Sequence, residues 1–405
     1  MKSENFWKKL VAILLAVFTL VILAFALFLV KTTRSRQALQ AENAELRGML
    51  SQNEKVLEVR QLVDEVFIGE IDEEYMTDKL CEGVVAGIND EWSYYISAEE
   101  YGNYIENVTN SYVGVGITIR KMEESDPGFT VIEVSPDSPA GDAGVKPGDM
   151  LVSVEGQSTA DLSIEDTKNL VRGEEGTDIT VTFRREDVDR EVTMTRRSVR
   201  TVNVTAELLE DNIGYIHIKN FEQDCAKDTI NAINALKDEG AEALVFDVRF
   251  NPGGRKAELV ELLDYLLPAG DVFRSERYNG EQSVDTSDAA CLKMPMSVLV
   301  NMESYSAAEF FAAALQEYDW AEIVGTQTYG KGYFQQCFKL SDGSAVNVST
   351  GRYFTPNGKS LAGVGITPDC VVEVSDDEYI DIYLGDLAPE DDAQLQAAIE
   401  AVRGK

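Results

Sequence analysis

The stretch "MSVLVNMESYSAAEFFAAALQEY", Met296–Tyr318, reads as a strand, a short turn and an alanine-rich helix. The same alternation recurs upstream, where the strands "IGYIHI" (213–218) and "ALVFDVRF" (243–250) lie on either side of the helical "DTINAINALKDEG" (228–240). Strands that alternate with helices build an α/β layered domain, which residues 201–405 are expected to form. Ser306 stands where the turn of the opening stretch meets its helix. At that point the Ala307 N–H has no intrahelical acceptor and the helix dipole favours negative charge.

From Tyr112 the pattern is different. Short alternating strands follow one another, "YVGVGITIRK", "FTVIEVS", "DMLVSVEG", "DITVTFRR" and "REVTMTRR", separated by turn signals such as Pro147-Gly148-Asp149 and one helical patch, "SIEDTKNLVRG". Residues 111–200 therefore read as a small β domain. Before it, "RQALQAENAELRGMLSQNEKVLEVRQLVDEVF" has helical composition and "LCEGVVAGINDEWSYYISAEEY" reads as helix, turn and helix. Residues 37–110 are thus expected to be a helical stalk with a helical segment, a surface for docking or for pairing two copies into a homodimer.

Leu10 to Val30, "LVAILLAVFTLVILAFALFLV", carries no charge and one polar side chain, Thr19. As a helix it would span roughly 31 Å at about 1.5 Å per residue, one hydrocarbon core. Residues 1–36 are expected to be a cytoplasmic stub and a single-pass anchor. The alternative is a cleaved signal peptide with an A-x-A site at Ala24-Phe25-Ala26, but the apolar run continues to Lys31 and favours an uncleaved span. Lys2, Lys8 and Lys9 before the span balance Lys31, Arg34 and Arg36 after it, so charge does not orient it.

The 405 residues are 44% hydrophobic and 26% charged, a globular composition with room for two or three cores. A net charge of −35 with no basic stripe excludes nucleic acid as a partner. Five scattered cysteines suggest no disulfide framework, and with no zinc-ligand spacing neither a metal nor a cofactor is expected. Chemistry must then come from side chains. In "TYGKGYFQ", Thr328 to Gln335, Lys331 stands between two glycines and beside Tyr329, Tyr333 and Phe334. Glycines allow close backbone approach and leave the side chain only the cover that tertiary packing supplies. The single histidine, His217, lies in the alternating strand "IGYIHI" with no serine motif nearby.

In the β domain, "SPDSPAGDAGVKPGDMLVSVEG" (Ser135 to Gly156), preceded by "YVGVGI" and followed by "NLVRGEEGTDITVTFRR", resembles a PDZ domain of the bacterial protease type. Such domains take an extended peptide by strand addition and hold its terminal carboxylate on backbone N–H groups. The resemblance implies that Val113, Gly114, Val115 and Gly116 supply that cradle and that Arg172 is the arginine of the family's "VRG" motif.

From about Val59 onward, "IGYIHIKNF", "VFDVRFNPGG", "LVNMESYSAAEFFAAALQE", "VGTQTYGKGYFQQ" and "GRYFTPNGKSLAGVGITPDCVVE" follow in an order similar to that of the tail-specific, or C-terminal processing, peptidases of serine protease family S41. That family pairs a serine in S-x-S-A with a lysine in G-K-G twenty-five residues later, the interval from Ser306 to Lys331. The resemblance implies a ClpP/crotonase-like layered α/β protease domain beside the PDZ domain and the transmembrane helix. It makes Ser306 and Lys331 the catalytic pair, Gln335 the lysine-orienting residue, and the backbone N–H groups of Gly253 and Ala307 the oxyanion donors. It also implies protein or peptide substrates with accessible C-termini, and a place in the bacterial cell membrane with the protease domain outside the cytoplasm.

The chemistry agrees with that assignment. A serine nucleophile needs a base, and a lysine, at about 10.4 in water, becomes one near neutral pH only when desolvation lowers its pKa. Two departures from the family pattern are visible. "S-Y-S-A-A-E" replaces S-A-S-A-S-E, and "R-F-N-P-G-G" replaces R-N-N-P-G-G, so Tyr305 and Phe250 are expected to reshape the pocket. The alternative reading is a catalytically silent membrane scaffold that binds C-termini through its PDZ domain.

Overall fold

Two strands, Ala243–Asp247 and Met296–Val300, are buried along their whole length. Only a sheet covered on both faces allows this. In the computed structural model, which describes residues 2–403 apart from Glu124 and Pro136, they lie at the centre of a six-stranded sheet. Its order is Val204–Leu209, Ile213–Ile218, Ala243–Asp247, Met296–Val300, Glu322–Gly325 and Cys370–Val371. The first pair is antiparallel and the others are parallel. Parallel neighbours need long crossovers, and helices supply them. Ile216, Phe246, Val298 and Ile323 pack on one face with the helices Cys225–Glu239, Lys256–Leu266 and Ala307–Glu317. On the other face Val245, Leu299 and Val324 pack against Leu395, Ala398 and Ile399 of the helix Ala393–Val402.

A second sheet joins Tyr94–Ile96, Ala345–Phe354, Gly270–Arg277 and Gln282–Ser287, with Tyr333–Lys339 also paired to Ala345–Phe354. Its first strand corrects the expectation of helix, turn and helix before the β domain. The helix Glu73–Ala86 is followed by the strand Tyr94–Ile96, antiparallel to Ala345–Asn347, and then by the helix Tyr101–Thr109. Three residues are too few to show a period, and their partner lies far along the chain. The segment before the β domain thus completes a sheet of the C-terminal region.

Within the β domain, the strands Ile117–Arg120, Phe129–Val134, Met150–Val154, Asp178–Arg185 and Val188–Thr195 pair antiparallel in that order. They enclose a core of Val115, Val131, Leu151, Val181 and Phe183. The helix Ile164–Val171 begins where Ser163 Oγ accepts the Asp166 N–H at 3.0 Å, a side-chain N-cap. The strand Ser111–Gly114 pairs separately with Arg197–Arg200.

The chain divides into two units, Met1–Thr77 and Asp78–Lys405. In the first, one helix, Lys2–Gln52, runs unbroken through the boundary expected at residue 36. Its stretch Trp7–Ala44 is long and apolar enough to cross a membrane.

Candidate active site

Three adjacent parallel strands, Ala243–Asp247, Met296–Val300 and Glu322–Gly325, end on the same side of the sheet. Ligands of open α/β sheets bind outside such carboxyl ends. The loop after the first strand carries Asn251 to Gly254, that after the second Ser306, and that after the third Lys331. Hydrogen bonds stitch the three together. Ser304 Oγ donates to Val248 O at 2.7 Å, Phe250 N to Asn301 Oδ1 at 3.0 Å, Tyr305 N to Asn251 O at 3.1 Å and Tyr329 N to Ser304 O at 3.3 Å.

Ser306 caps the helix Ala307–Glu317 with φ 58° and ψ −124°. Backbone held in so sparse a region costs about 1–3 kcal/mol for a residue with a side chain and persists only where its surroundings over-determine it. Gly253 packs directly against this turn at φ +87°. A Cβ there would lie 2.7 Å from Ala307 N and 2.7 Å from Ser306 Cβ, so glycine is required. Asn251 locks the glycine turn, accepting the Gly253 N–H on Oδ1 at 2.8 Å and donating from Nδ2 to Ile218 O at 2.7 Å. The Gly253 N–H is therefore engaged in this geometry, whereas the N–H of Ala307, first in its helix, has no intrahelical acceptor.

The residue that joins the two sides of the crevice is Glu309. Its carboxylate is fully buried. Oε2 accepts the N–H groups of both Ser306 (3.1 Å) and Lys331 (2.8 Å), while Oε1 accepts from Gly330 N (2.7 Å) and Thr328 Oγ1 (2.6 Å). Burial raises its pKa, and these four donors act against that rise. Sequence reading passed over Glu309, although Ser306-x-x-Glu309 before an apolar helix is the capping-box pattern.

Burial lowers the Lys331 pKa to about 8, against the opposing pull of Asp90, Glu309 and Glu91. Its amine lies 3.9 Å from the centroid of the Trp92 ring. Gln335 is placed differently from the expected lysine contact. Its amide donates to Ser349 Oγ at 3.0 Å and to Tyr333 O at 3.3 Å, at a bulge between Phe334 and Gln335. His217 pairs in register with Thr205 and Asp247 inside the sheet, and burial lowers its pKa. Phe250, at φ 58°, meets Tyr379 (4.9 Å) and Tyr383 (5.3 Å) edge to face and lines a cavity of about 510 Å³ together with Met302 and Tyr329.

Residues 212–372 match peptidase family S41, and residues 130–185 match the PDZ domain. A carboxyl-terminal-processing protease of Synechocystis sp. is 30% identical over 330 residues, covering 80% of this chain and 76% of that protein. The chain belongs to peptidase family S41. The carboxy-terminal processing protease CtpA of Bacillus subtilis is 29% identical over 308 residues, 75% of this chain and 66% of that protein. Among solved structures, a candidate S41 protease from Bacteroides fragilis shares the fold, with a TM-score of 0.52 over 84% of this chain and 93% of that one at 18% identity.

In this S41 protein the PDZ domain carries a groove of about 190 Å³ between the strand Ile117–Arg120 and the helix Ile164–Val171. Val115, Gly116 and Arg172 line it, as do Ile117, Ile119 and Val171, which sequence reading did not single out. Val113 and Gly114 lie on the strand paired with Arg197–Arg200, outside that lining. Gly116 has φ +82°, and a Cβ on it would fall 2.2 Å from Ser138 Cβ. Arg172 is bound to Glu106 at 3.0 Å and lies over the Tyr112 ring at 5.4 Å. Among the described residues the strand Ile117–Arg120 is paired on one side only, which leaves an edge beside the groove.

Proposed function

We propose that this chain is a single-pass, membrane-anchored serine endopeptidase of the bacterial cell envelope. It captures C-terminal tails in its PDZ groove and cleaves them with Ser306 as nucleophile and Lys331 as base. The observation that carries this reading is Glu309, one buried carboxylate that takes the N–H groups of both residues and holds nucleophile and base on a common support.

In the reaction, the neutral Lys331 amine takes the Ser306 Oγ proton as Oγ bonds to the scissile carbonyl carbon. The oxygen that becomes negative meets the Ala307 N–H, with the Gly253 N–H joining it on release from Asn251. The lysine ammonium then protonates the leaving amine as the C–N bond breaks, and a water deprotonated by the same amine hydrolyses the acyl-enzyme. In this geometry the Gln335 amide nitrogen is bonded to Ser349 and Tyr333 and not to the lysine amine.

An extended tail would add to the free edge of Ile117–Arg120, with its carboxylate at Val115 and Gly116. The span Trp7–Ala44 supports anchoring, with residues 1–36 as stub and span and the protease domain outside the cytoplasm. Residues 111–200 would be the PDZ module. Residues 201–405, completed by Tyr94–Ile96, would be the ClpP/crotonase-like layered core.

Hydrolysis of an unfolded protein with a free C-terminus tests the proposal. Ser306→Ala and Lys331→Ala are each expected to abolish it with folding intact. Near-normal turnover by folded Lys331→Ala at neutral pH would remove the lysine from the mechanism.

A further inference from the structure

Tyr305 departs from the family pattern, and the reaction above gives it no role. It is one wall of an enclosure around the catalytic amine. Lys331 Nζ lies 3.9 Å from the Trp92 centroid and 5.7 Å from that of Tyr305. Trp92 in turn meets Tyr305 at 5.7 Å and Tyr329 edge-on at 5.4 Å, and the two tyrosines are 5.7 Å apart. The three rings come from three segments: the strap that leads into Tyr94–Ile96, the nucleophile turn and the glycine loop. The Tyr329 hydroxyl donates to Glu91 Oε2 at 3.1 Å and fastens the loop to the strap.

Resting on the Ser306–Lys331 reading, we propose that Trp92, with Tyr305 and Tyr329, forms an aromatic holding site for the protonated Lys331 amine, which keeps the base from Ser306 until the proton leaves and thereby sets the pH at which activity begins. The negative face of an aromatic ring attracts an ammonium and not a neutral amine, and tryptophan attracts it most. The charged groups that face Lys331 are Asp90 and Glu91 from the strap and Glu309 from the helix Ala307–Glu317, and all three favour the ammonium, as the rings do. Only burial opposes them. Gln335, held by Ser349, does not compete for the amine in this arrangement. On losing its proton the amine loses the attraction that holds it, and it becomes free to turn toward Ser306. Trp92 acts through the lysine, so it is a positioning residue.

The test weakens the ring without changing its size. The chain has three tryptophans. In the detergent-solubilised full-length protein carrying Trp7→Phe and Trp320→Phe, Trp92 is replaced biosynthetically by mono-, di- and trifluorotryptophan, and kcat/KM for an unfolded protein is followed against pH. Each fluorine draws charge from the ring face. The ammonium is progressively destabilised, and the rising limb is expected to move to lower pH, by about 0.5 to 1 unit for the most fluorinated ring. Activity below the limb should rise by about 3- to 10-fold. Trp92→Phe, which keeps a weaker ring, should move the limb in the same direction, and Tyr305→Leu by less. A limb that stays in place or climbs with fluorination, while Lys331→Met is inactive, overturns the holding site and leaves the lysine as base. Turnover that survives in Lys331→Met overturns the base assignment and the holding site together.

Discussion

Arg249 and Lys331 are both cations withdrawn from water beyond the carboxyl ends of parallel strands of one sheet, Ala243–Asp247 and Glu322–Gly325, and they are held in opposite ways. Arg249 is 3% exposed. Its guanidinium meets Asp247 Oδ2 at 2.6 Å, Asp392 Oδ2 at 2.9 Å and Gln394 Oε1 at 3.1 Å, and Asp247 also accepts the Tyr215 hydroxyl at 2.7 Å. Burial disfavours both charges here, yet Arg249 is held well above its usual range and Asp247 below its own because each faces the other. Lys331 has ring faces and carboxylates at a distance, and among the described residues no ion pair joins it. Burial then prevails and its pKa falls to about 8. Burial alone therefore does not decide whether a cation keeps its proton. A charge that must persist is given bonded partners, and one that must come and go is left without them.

The sharpest contrast is expected when each cation becomes a methionine. If Lys331 is the proposed base, Lys331→Met should lower kcat/KM by about 10²- to 10⁴-fold, the contribution of a general base, and change unfolding stability by less than about 1 kcal/mol. Arg249→Met leaves the buried Asp247 and Asp392 without their cation and should cost about 3–5 kcal/mol in urea unfolding. Equal destabilisation by the two would erase the distinction.

Glu309 stands between these cases, a buried carboxylate whose partners are neutral donors. In Glu309→Gln, the amide NH₂ would oppose two of the four donors now satisfied, those on Ser306 N and Lys331 N or those on the Thr328 side. With hydrogen bonds to a charged group worth about 1.5–3 kcal/mol each, kcat/KM is expected to fall by about 10- to 100-fold while circular dichroism stays native. An unchanged kcat/KM would show that the proposed nucleophile and base, Ser306 and Lys331, do not depend on their shared support.

How much of this was legible in the sequence follows from how local each feature is. The Ser306-to-Lys331 spacing, the strand-then-helix context of the serine and the glycine turn at Gly253 are written within short windows. Glu309 was equally local, three residues from Ser306 in a capping box, and was readable though unread. Trp92 was not readable. It reaches the lysine because Tyr94–Ile96 pairs with Ala345–Asn347, and a three-residue strand with a distant partner leaves no periodic trace. The Gln335 expectation fixed a position in the chain but not the direction of a side chain, which the bulge at Phe334–Gln335 governs. For the same reason the run Val113 to Gly116 did not show that its first two residues would be spent on pairing with Arg197–Arg200.

A smaller effect probes the lysine alone. With Lys331 as the proposed base, kcat/KM should rise with pH through a limb near 8, because such a base acts only after losing its proton and burial has lowered its pKa from the ordinary value. Gln335→Glu adds an anion near the ammonium, stabilises it and moves the limb to higher pH. Gln335 is bonded to Ser349 and not to the amine, so the shift should be less than about one unit. A shift to lower pH, with chemistry still rate-limiting, would separate Gln335 from the base.

Arg172 supplies a third kind of cation, and the smallest expected effect. It is partly exposed at the groove mouth, with 37% of its side-chain surface open and Glu106 at 3.0 Å. An ion pair in water's reach is worth roughly 0–1 kcal/mol, so Arg172→Gln should weaken binding of a free-carboxylate peptide by no more than about fivefold. If backbone N–H groups at Val115 and Gly116 hold the carboxylate, the preference for free over amidated peptide survives in Arg172→Gln. Gly116→Val removes it, because the φ of +82° and the contact with Ser138 leave no room for a side chain. Titration of both peptides against each variant separates the two contributions. A hundredfold loss in Arg172→Gln, confined to the free peptide, would make this arginine a bonded partner of the carboxylate, set apart by its ligand as Arg249 is by its aspartates.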